Sequence, residues 1–242
     1  MSDNSIQLLL RAAKKLTAAL DPKALRVPVC CTYNPLEYAW AGHEKYLRAY
    51  AQGPKRVLFL GMNPGPFGMA QTGVPFGEVA AVRDWMKINE TILKPSLDHP
   101  KRPVLGFACP RSEVSGQRLW GLFAQRFPLA NDFFAEHFVV NYCPLIFFSE
   151  TGSNITPDKL PTDVIKPILA ACDEHLQTVV EVLRPEWLVG VGDFAEKRAR
   201  MIFPGTIPRI GKILHPSPAS PAANRDWGGA AMEQLRRLGI WS

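Results

Sequence analysis

The sequence predicts an α/β fold, a three-layer α/β/α sandwich around a central, mostly parallel four-stranded sheet. The first observation is that short apolar runs bounded by glycine and proline recur along the chain, as buried strands do. They cover residues 57–62, 138–142, 187–191 and 210–214. The second observation is that helical patterns lie between these runs, which favours parallel strands joined by crossover helices.

The N-terminal stretch MSDNSIQLLLRAAKKLTAAL predicts an amphipathic helix that begins at a Ser5 cap. It lacks a basic start, an apolar block and a cleavage site, so we expect no export. Further helices are predicted at residues 78–93, 116–127, 164–183, 193–203 and 224–238. Proline-rich stretches are interleaved with the strands, so we expect residues 1–242 to form one domain, with residues 1–25 as its N-terminal helix.

The composition is that of a globular protein with an anionic partner. Hydrophobic residues make up 47% of the 242 residues and charged residues 21%, and no apolar run approaches the ~20 residues that span a membrane. The net charge of +6 favours binding to nucleic acid. Charge alone leaves a basic protein without such a partner equally open, because the basic residues are spread along the chain.

The five cysteines predict neither disulfides nor a metal site. Cys30 and Cys31 are adjacent and the other three are scattered, so neither a disulfide framework nor a CxxC spacing is present. We expect no metal, no iron-sulfur cluster and no other cofactor. Reduced thiols indicate a cytoplasmic protein, or a nuclear one if the source is a eukaryote.

A rigid polar loop follows the first predicted strand. The run NPGPFG occupies residues 63–68, directly after VLFLGM, and QTGVPFG follows at residues 71–77. Prolines fix φ, while glycines let backbone N–H groups come close to a ligand. From the residues alone, a structural turn and a binding loop are equally open interpretations.

Polar residues also follow two other predicted strands. His215 begins the HPSP run after the last strand, and Asn141 precedes YCPL after the run FVV. A single histidine is more often structural than catalytic, and a single asparagine is a weaker signal still. Because ligands bind beyond the carboxyl ends of parallel strands, Asn63, Asn141 and His215 are candidates for one shared cleft.

Three motifs at these positions resemble those of the single-strand-selective monofunctional uracil-DNA glycosylases. They are GMNPGPFGMAQTGVPFGEV at residues 61–79, NYCPL at 141–145 and HPSP at 215–218. The stretches CPRSEVSG at 109–116 and GVGDFAEKRA at 190–199 extend the similarity over most of the chain after about residue 30. The long first motif is highly specific, whereas HPSP occurs across the wider superfamily.

The resemblance implies an enzyme that flips uracil out of DNA and hydrolyses its bond to the sugar, leaving an abasic site. Negative charge grows on the departing base, and by resemblance His215 donates toward uracil O2 as it does. Asn63 lies where better-known superfamily members have an aspartate, and the similarity implies that it positions the hydrolytic water. An amide cannot act as a carboxylate base, so we expect a modest rate.

The resemblance also implies how the base is recognised. Asn141 matches the amide that pairs with uracil N3–H and O4, where cytosine presents the reversed pattern. Phe76 resembles the aromatic that stacks on the flipped base, although an ordinary core phenylalanine is the alternative. Met62 and Gly65 match the pocket floor near the uracil C5 edge, where the family leaves room for oxidised 5-substituted uracils.

The segment after the last strand resembles the wedge that fills the gap left by the flipped nucleotide. Animal members have a basic residue directly after HPSP, whereas this chain has Ala219 there and a basic residue farther on. Lys212 is a candidate phosphate contact, with a solvated lysine as the alternative. The predicted DNA contacts are Lys212, Pro216, Ser217, Pro218, Ala219, Ser220, Asn224 and Arg225.

The expected partner is uracil-containing DNA, single- or double-stranded, bound by a monomer without a membrane. The three motifs contain no lysine for Schiff-base attack, so no strand cleavage is expected. One alternative is a superfamily glycosylase that acts mainly on deaminated purines, xanthine and hypoxanthine. The other is a catalytically silent module that binds damaged DNA, for which Asn63 and His215 together would be unnecessary.

Overall fold

Strands and helices alternate along the chain in the computed structural model, which describes residues 2–20 and 28–242. The strands are β1 (Cys31–Tyr33), β2 (Val57–Gly61), β3 (His137–Asn141), β4 (Ile146–Phe148), β5 (Asn154–Ile155), β6 (Trp187–Val191) and β7 (Arg209–Ile213). The α-helices are α1 (Ser2–Ala19), α2 (Pro35–Tyr38), α3 (Trp40–Tyr50), α4 (Met69–Thr72), α5 (Val114–Arg126), α6 (Ala130–Glu136), α7 (Thr162–Leu183), α8 (Asp193–Ile202) and α9 (Pro221–Arg237).

The four apolar runs form one parallel sheet in the order β3-β2-β6-β7. All four side chains from Val57 to Leu60 are fully buried. Successive side chains of a strand point to opposite faces, so both faces of the sheet are covered. The predicted α/β architecture is confirmed, and the strand ends differ from the predicted ones by no more than one residue.

Aromatic contacts identify the layers on the two faces. On one face Phe138 of β3 stacks on Tyr46 of α3, with ring centroids 4.8 Å apart. On the other face Phe59 of β2 packs against Phe123 of α5 at 5.0 Å and against Phe133 of α6. Aromatic pairs of this geometry add to the free energy gained by burying their surface. The helices therefore cover the sheet from both sides and hold its strand ends in fixed positions.

The structure corrects three local predictions. The helix predicted at residues 78–93 is only a π-helical turn, Ala81–Trp85, because Lys87 adopts a left-handed φ of 56° and ends it. Ser5 lies inside α1, and residues 21–25 of the predicted N-terminal helix lie outside the described residues. The asparagine at 224 lies inside α9, which begins at Pro221 and bends at Asp226.

A second, antiparallel sheet in the order β1-β4-β5 was not predicted. Its strands are only two or three residues long, and β1 is more than a hundred residues from the other two, so no local periodicity indicates the sheet. β4 and β5 follow Asn141 along the chain, and Asn154 of β5 donates from Nδ2 to Pro64 O at 3.3 Å. This small sheet therefore braces the loop after β2. Within the described residues, no helix is long and apolar enough to cross a bilayer.

Candidate active site

A pocket of about 270 Å³ lies beyond the carboxyl ends of the parallel strands. It brings together eight of the residues predicted from sequence, which come from four separate parts of the chain. They are Met62, Asn63, Gly65, Phe76, Asn141, His215, Ser217 and Pro218. Asn63, Asn141 and His215, for which one shared cleft was predicted, thus line the same pocket, while the chemical role of each residue stays a prediction.

Asn63 follows β2, and its amide is oriented by a backbone carbonyl. Asn63 Nδ2 donates to Leu145 O at 3.2 Å, which fixes which end of the amide carries the oxygen. The backbone pairing continues past the strand ends, with Cys143 N donating to Met62 O at 2.9 Å. Asn63 Oδ1 is therefore presented as a hydrogen-bond acceptor from a rigid segment of chain.

Asn141 ends β3 opposite Gly61 and is 8% exposed. Its Nδ2 contacts the weak acceptor Met69 Sδ at 3.4 Å, and its Oδ1 has no hydrogen-bond partner within the described residues. A buried polar atom without a partner costs free energy, which a ligand that supplies a donor recovers. A Cβ at position 61 would collide with both Asn141 Oδ1 and the Phe76 ring, so only glycine leaves space there.

Phe76 is held in a conformation that non-glycine residues rarely adopt. Its φ is 52°, and its side chain is 9% exposed. Trp120 Nε1 donates to Pro75 O at 3.2 Å, and a Cβ at Gly116 would overlap the Phe76 carbonyl. Strain of this kind persists only where surrounding structure imposes it, and it is common in binding sites. The Phe76 ring lies 6.3 Å from the His215 ring, measured between centroids, so a ligand stacked on Phe76 comes within reach of the imidazole.

His215 follows β7, and its tautomer is set by the next turn. Ser217 N donates to His215 Nδ1 at 3.1 Å, so in the neutral ring the proton lies on Nε2. Burial disfavours the charged form and lowers the pKa of His215 below its usual value. Gly192 allows the close approach of this side chain, since a Cβ there would lie 3.0 Å from His215 Cβ. The site therefore presents a neutral imidazole that donates from Nε2.

We expect an NMR titration of His215 to show an apparent pKa below the ordinary value of about 6.5. Burial lowers the pKa, and a proton on Nδ1 would face the N–H of Ser217. The unfolded chain then binds the proton first as pH falls, so the stability that the neutral histidine contributes is present above pH ~6.5 and is lost below it.

Urea unfolding at several pH values measures that loss, and His215→Gln serves both to assign the resonance and as the control for stability. An apparent pKa at or above about 6.5 would contradict the neutral assignment.

The predicted wedge is a turn held by its own backbone and by one arginine. Asn224 Nδ2 donates to Pro218 O at 2.8 Å, and Ser220 caps α9 by accepting from Ala223 N. Arg118 of α5 donates to Pro216 O at 3.1 Å and to Asn224 Oδ1 at 2.9 Å. Arg118 was missed from sequence, because nothing local in α5 indicates a contact with a segment about a hundred residues away.

The remaining predicted DNA contacts lie outside the pocket. Ala219 and Arg225 are exposed beside the wedge turn. Lys212 forms salt bridges with Asp193 at 2.9 Å and Glu196 at 3.4 Å, so its charge is largely neutralised within the protein. Asp193 is the first residue of α8, and its carboxylate pairs with this lysine. A phosphate contact for Lys212 stays a prediction.

Glu113 lines the pocket and was not singled out from sequence, although the CPRSEVSG stretch contains it. Its Oε2 accepts from Phe67 N at 3.1 Å, and its carboxylate fills the space that Gly65 leaves by lacking a side chain. Burial raises the pKa of this carboxyl group, and the Phe67 N–H partly offsets that effect. Ser115, Asn154 and Thr156 add further polar atoms to the same wall.

Within the described part of the chain, no three His, Cys, Asp or Glu side chains are grouped closely enough to hold a metal ion. The pocket instead combines two amides, an aromatic ring and an imidazole. They belong to Asn63, Asn141, Phe76 and His215. Groups of this kind can bind a flat heterocycle by stacking and edge hydrogen bonds, and can donate to an oxygen that becomes negative.

Comparison with known proteins agrees with this geometry. Residues 49–236 match the family model of the Uracil DNA glycosylase superfamily. The single-strand selective monofunctional uracil-DNA glycosylase of Rattus norvegicus is 50% identical over 93% of this chain and 82% of its own length. The Bos taurus protein of that name is 51% identical over 86% of this chain and 77% of its own.

The fold is also that of a solved bacterial structure. The crystal structure of wild-type Pedobacter heparinus SMUG2 superposes with a TM-score of 0.65 at 17% identity, and the match covers 94% of this chain and 97% of that one. The identity is too low to carry more than the fold. The family match and the half-identical relatives carry the assignment: this chain belongs to the uracil DNA glycosylase superfamily and, within it, to the single-strand selective monofunctional uracil-DNA glycosylases.

Proposed function

We propose that the protein flips uracil out of DNA, hydrolyses the bond between the base and the sugar, and leaves an abasic site. The observation that carries this proposal is the convergence of Asn63, Phe76, Asn141 and His215 on one pocket. The rat, mouse and bovine relatives bear the names of uracil-DNA glycosylases. We propose that this protein acts in the compartment that holds the genome, the cytoplasm of a bacterium or the nucleus of a eukaryote.

His215 stabilises the leaving group. As the C1′–N1 bond breaks, its electron pair moves onto the base, and charge accumulates on the carbonyl oxygens. The neutral ring donates from Nε2 toward uracil O2, because Nδ1 is occupied as an acceptor by Ser217 N–H. A fixed donor aimed at a developing oxyanion in a site with little water is worth about 10²- to 10³-fold in rate.

Asn63 positions the water that attacks the sugar. Because Nδ2 is committed to Leu145 O, Oδ1 accepts a hydrogen bond from that water. An amide does not remove a proton at neutral pH, so Asn63 orients the nucleophile without activating it as a base. The cationic character of the sugar in the transition state compensates, because a strongly electrophilic C1′ reacts with neutral water.

Asn141 and Phe76 select the base. The unpartnered Oδ1 of Asn141 accepts from uracil N3–H, and its Nδ2 donates to O4, whereas cytosine presents the reversed pair. Stacking on an aromatic ring contributes about 1–3 kcal/mol per base. Met62 and Gly65 line the same pocket and match the family's C5 edge, so oxidised 5-substituted uracils belong to the proposed substrates.

DNA is held by the wedge turn and by the net charge of +6. Residues 216–220 with Asn224 and Arg225 enter the space of the flipped nucleotide, and Arg118 keeps the turn in place. In this proposal a monomer binds both single- and double-stranded DNA. Among the described residues none of those lining the pocket is a lysine, so we expect no Schiff base with the sugar.

A second substrate class, the deaminated purines, is supported by one observation. Hypoxanthine and xanthine present an N–H beside a carbonyl oxygen, as uracil does. The Asn141 amide can therefore pair with the purines in the same way as with uracil. A purine is larger and must find room between Phe76 and the wall formed by Met62 and Gly65. A silent DNA-binding module is disfavoured, because binding alone requires neither the oriented Asn63 nor the neutral His215.

Labelled oligonucleotides that contain uracil, xanthine, hypoxanthine or cytosine at one position test the proposal. After incubation with the protein, alkali cleaves the strand wherever a base has been removed. We expect cleavage at uracil, slower cleavage at the purines and none at cytosine, and no cleavage before alkali is added. Intact uracil strands would overturn the proposal, and faster release of the purines would favour the second substrate class.

In the same assay Asn141→Ala should lower the kcat/KM for uracil by roughly 10-fold or more, the amount that 1–3 kcal/mol of a paired base edge represents. The reason is that uracil N3–H and O4 then lose their partners inside the pocket. The exposed amide of Asn131 on α6 offers a matched control, Asn131→Ala, which should keep the wild-type value. Equal kcat/KM in the two variants would remove Asn141 from base recognition.

A further inference from the structure

Two arginines pack on the aromatic ring of Phe67, in the loop that follows β2. Arg111 Cζ lies 4.0 Å from the ring centroid, and Arg102 Cζ lies 5.4 Å from it. A guanidinium that packs on an aromatic ring is attracted by the ring and loses less freedom when it then binds a ligand. Phe67, Arg102 and Arg111 together form what we call the arginine patch.

The arginine patch borders the pocket. Gly65 and Pro66, which directly precede Phe67, line the pocket, and Phe67 N donates to Oε2 of the pocket residue Glu113 at 3.1 Å. Arg111 lies two residues before Glu113 in the chain. A DNA strand that places one base in the pocket therefore brings its flanking backbone to this rim.

No carboxylate neutralises the two arginines within the described part of the chain. The salt bridges found there involve neither Arg102 nor Arg111, and Arg111 is exposed. Lys212, by contrast, is paired with Asp193 and Glu196. Two unpaired positive charges on the same surface attract an anion, which relieves their mutual repulsion.

Backbone carbonyls hold the guanidinium of Arg102 in place. Its Nε donates to Gly152 O at 2.7 Å, and one of its Nη atoms donates to Lys101 O at 3.3 Å. The other N–H donors of the guanidinium stay available for a ligand. Their planar arrangement fits phosphate oxygens, which accept two such hydrogen bonds at once. The arginine patch suits a phosphate better than a base, because Arg111 already covers the Phe67 ring.

We propose that the arginine patch is a second DNA-binding site, which holds backbone phosphate of the strand that carries the flipped base. This inference rests on the proposed function and adds to it a contact outside the wedge. Phosphate contacts fix where a strand lies and carry no base preference. The contact needs only one strand, so it forms in single-stranded DNA as well as in a duplex.

The salt dependence of binding tests this site, because it reports how many phosphates a protein neutralises. The probe is a fluorescent single strand with one uracil on a 2′-fluoro sugar, which resists hydrolysis, and its affinity is measured at several salt concentrations. For Arg102→Gln and for Arg111→Gln, we expect the slope of log K against log salt to fall in magnitude by about 0.7. Arg111→Lys keeps the charge and should keep the wild-type slope.

The matched control is Arg184→Gln, which removes an exposed arginine directly after α7, at the amino end of the sheet. It should keep the wild-type slope, because the pocket lies at the carboxyl end. Neither Arg102 nor Arg111 lines the pocket, so uracil release under saturating enzyme should stay within about 3-fold of wild type in their variants. An unchanged slope in Arg102→Gln or Arg111→Gln, or an equal fall in Arg184→Gln, overturns the inference.

A second measurement separates a direct contact from a general effect of charge. Each phosphate near the uracil is replaced in turn by an uncharged methylphosphonate, and the affinities of wild type and Arg111→Gln are compared. We expect at least one replacement that weakens binding by wild type but not by Arg111→Gln, because the same charge pair is already lost. Equal weakening of both proteins by every replacement overturns the inference.

The binding measurements involve no turnover, so they test the arginine patch separately from the proposed function. Wild type that binds the strand with the predicted salt dependence but releases no uracil from an ordinary strand would overturn the proposed function and leave the arginine patch in place. Wild type that releases uracil while the arginine variants keep its slope would do the reverse.

Discussion

His215→Ala should lower the single-turnover rate constant for uracil release by about 10²- to 10³-fold. The variant removes the Nε2–H donor from the oxygen on which charge accumulates as the base leaves. That hydrogen bond stabilises the transition state more than it stabilises the bound substrate. The rate constant for release should therefore fall far more than the affinity for the DNA. Quenched-flow assays under enzyme excess measure the rate, and fluorescence anisotropy measures the affinity.

Two controls separate this effect from damage to the fold. The exposed Arg237→Ala variant of α9 should keep the wild-type rate, since that side chain pairs only with Glu233 on the surface. His215→Ala should unfold within a few degrees of the wild-type temperature, because it loses the hydrogen bond from Ser217 N and the packing of one imidazole ring. A wild-type rate for His215→Ala would show that the charge on the base is stabilised elsewhere.

Asn63→Ala should lower the same rate constant by about 100-fold, the cost of a misplaced nucleophile. The lost group is Oδ1, the acceptor that orients the attacking water. The substitution also removes the hydrogen bond to Leu145 O, which costs about 1 kcal/mol of stability. Single-turnover kinetics and urea unfolding measure the two effects separately.

The pattern of the loss distinguishes water positioning from base binding. If Asn63 acts on the water, affinity for uncleaved uracil strands stays within about 3-fold of wild type while the rate falls. Asn131→Ala again provides an amide of the same type that is exposed and remote. If a weaker affinity for the uracil strand accounts for the whole fall in the rate constant, Asn63 acts in substrate binding instead.

The sheet and most of the pocket were predictable because they depend on local patterns. β2 and β3 are buried on both faces, so each is a continuous apolar run that the chain shows without any knowledge of its neighbours. The residues at or just after the end of each run then lie at one edge of the sheet, which places Asn63, Asn141 and His215 together. The roles assigned to them came from the family motifs, since residue types alone left turn and site equally open.

Sequence by itself determined the fold class, the four strands of the parallel sheet and the residues at their carboxyl ends, because short local patterns of apolar and turn residues indicate them. Only the tertiary structure decided that Glu113 turns from its helix toward the loop after β2, and that Arg118 holds the wedge. It also decided that Lys212 is paired with two carboxylates, and that Phe76 is strained. Each of these features depends on contacts between segments that are separated along the chain. Such contacts form when helices, strands and loops pack against one another, and a local sequence pattern does not indicate them.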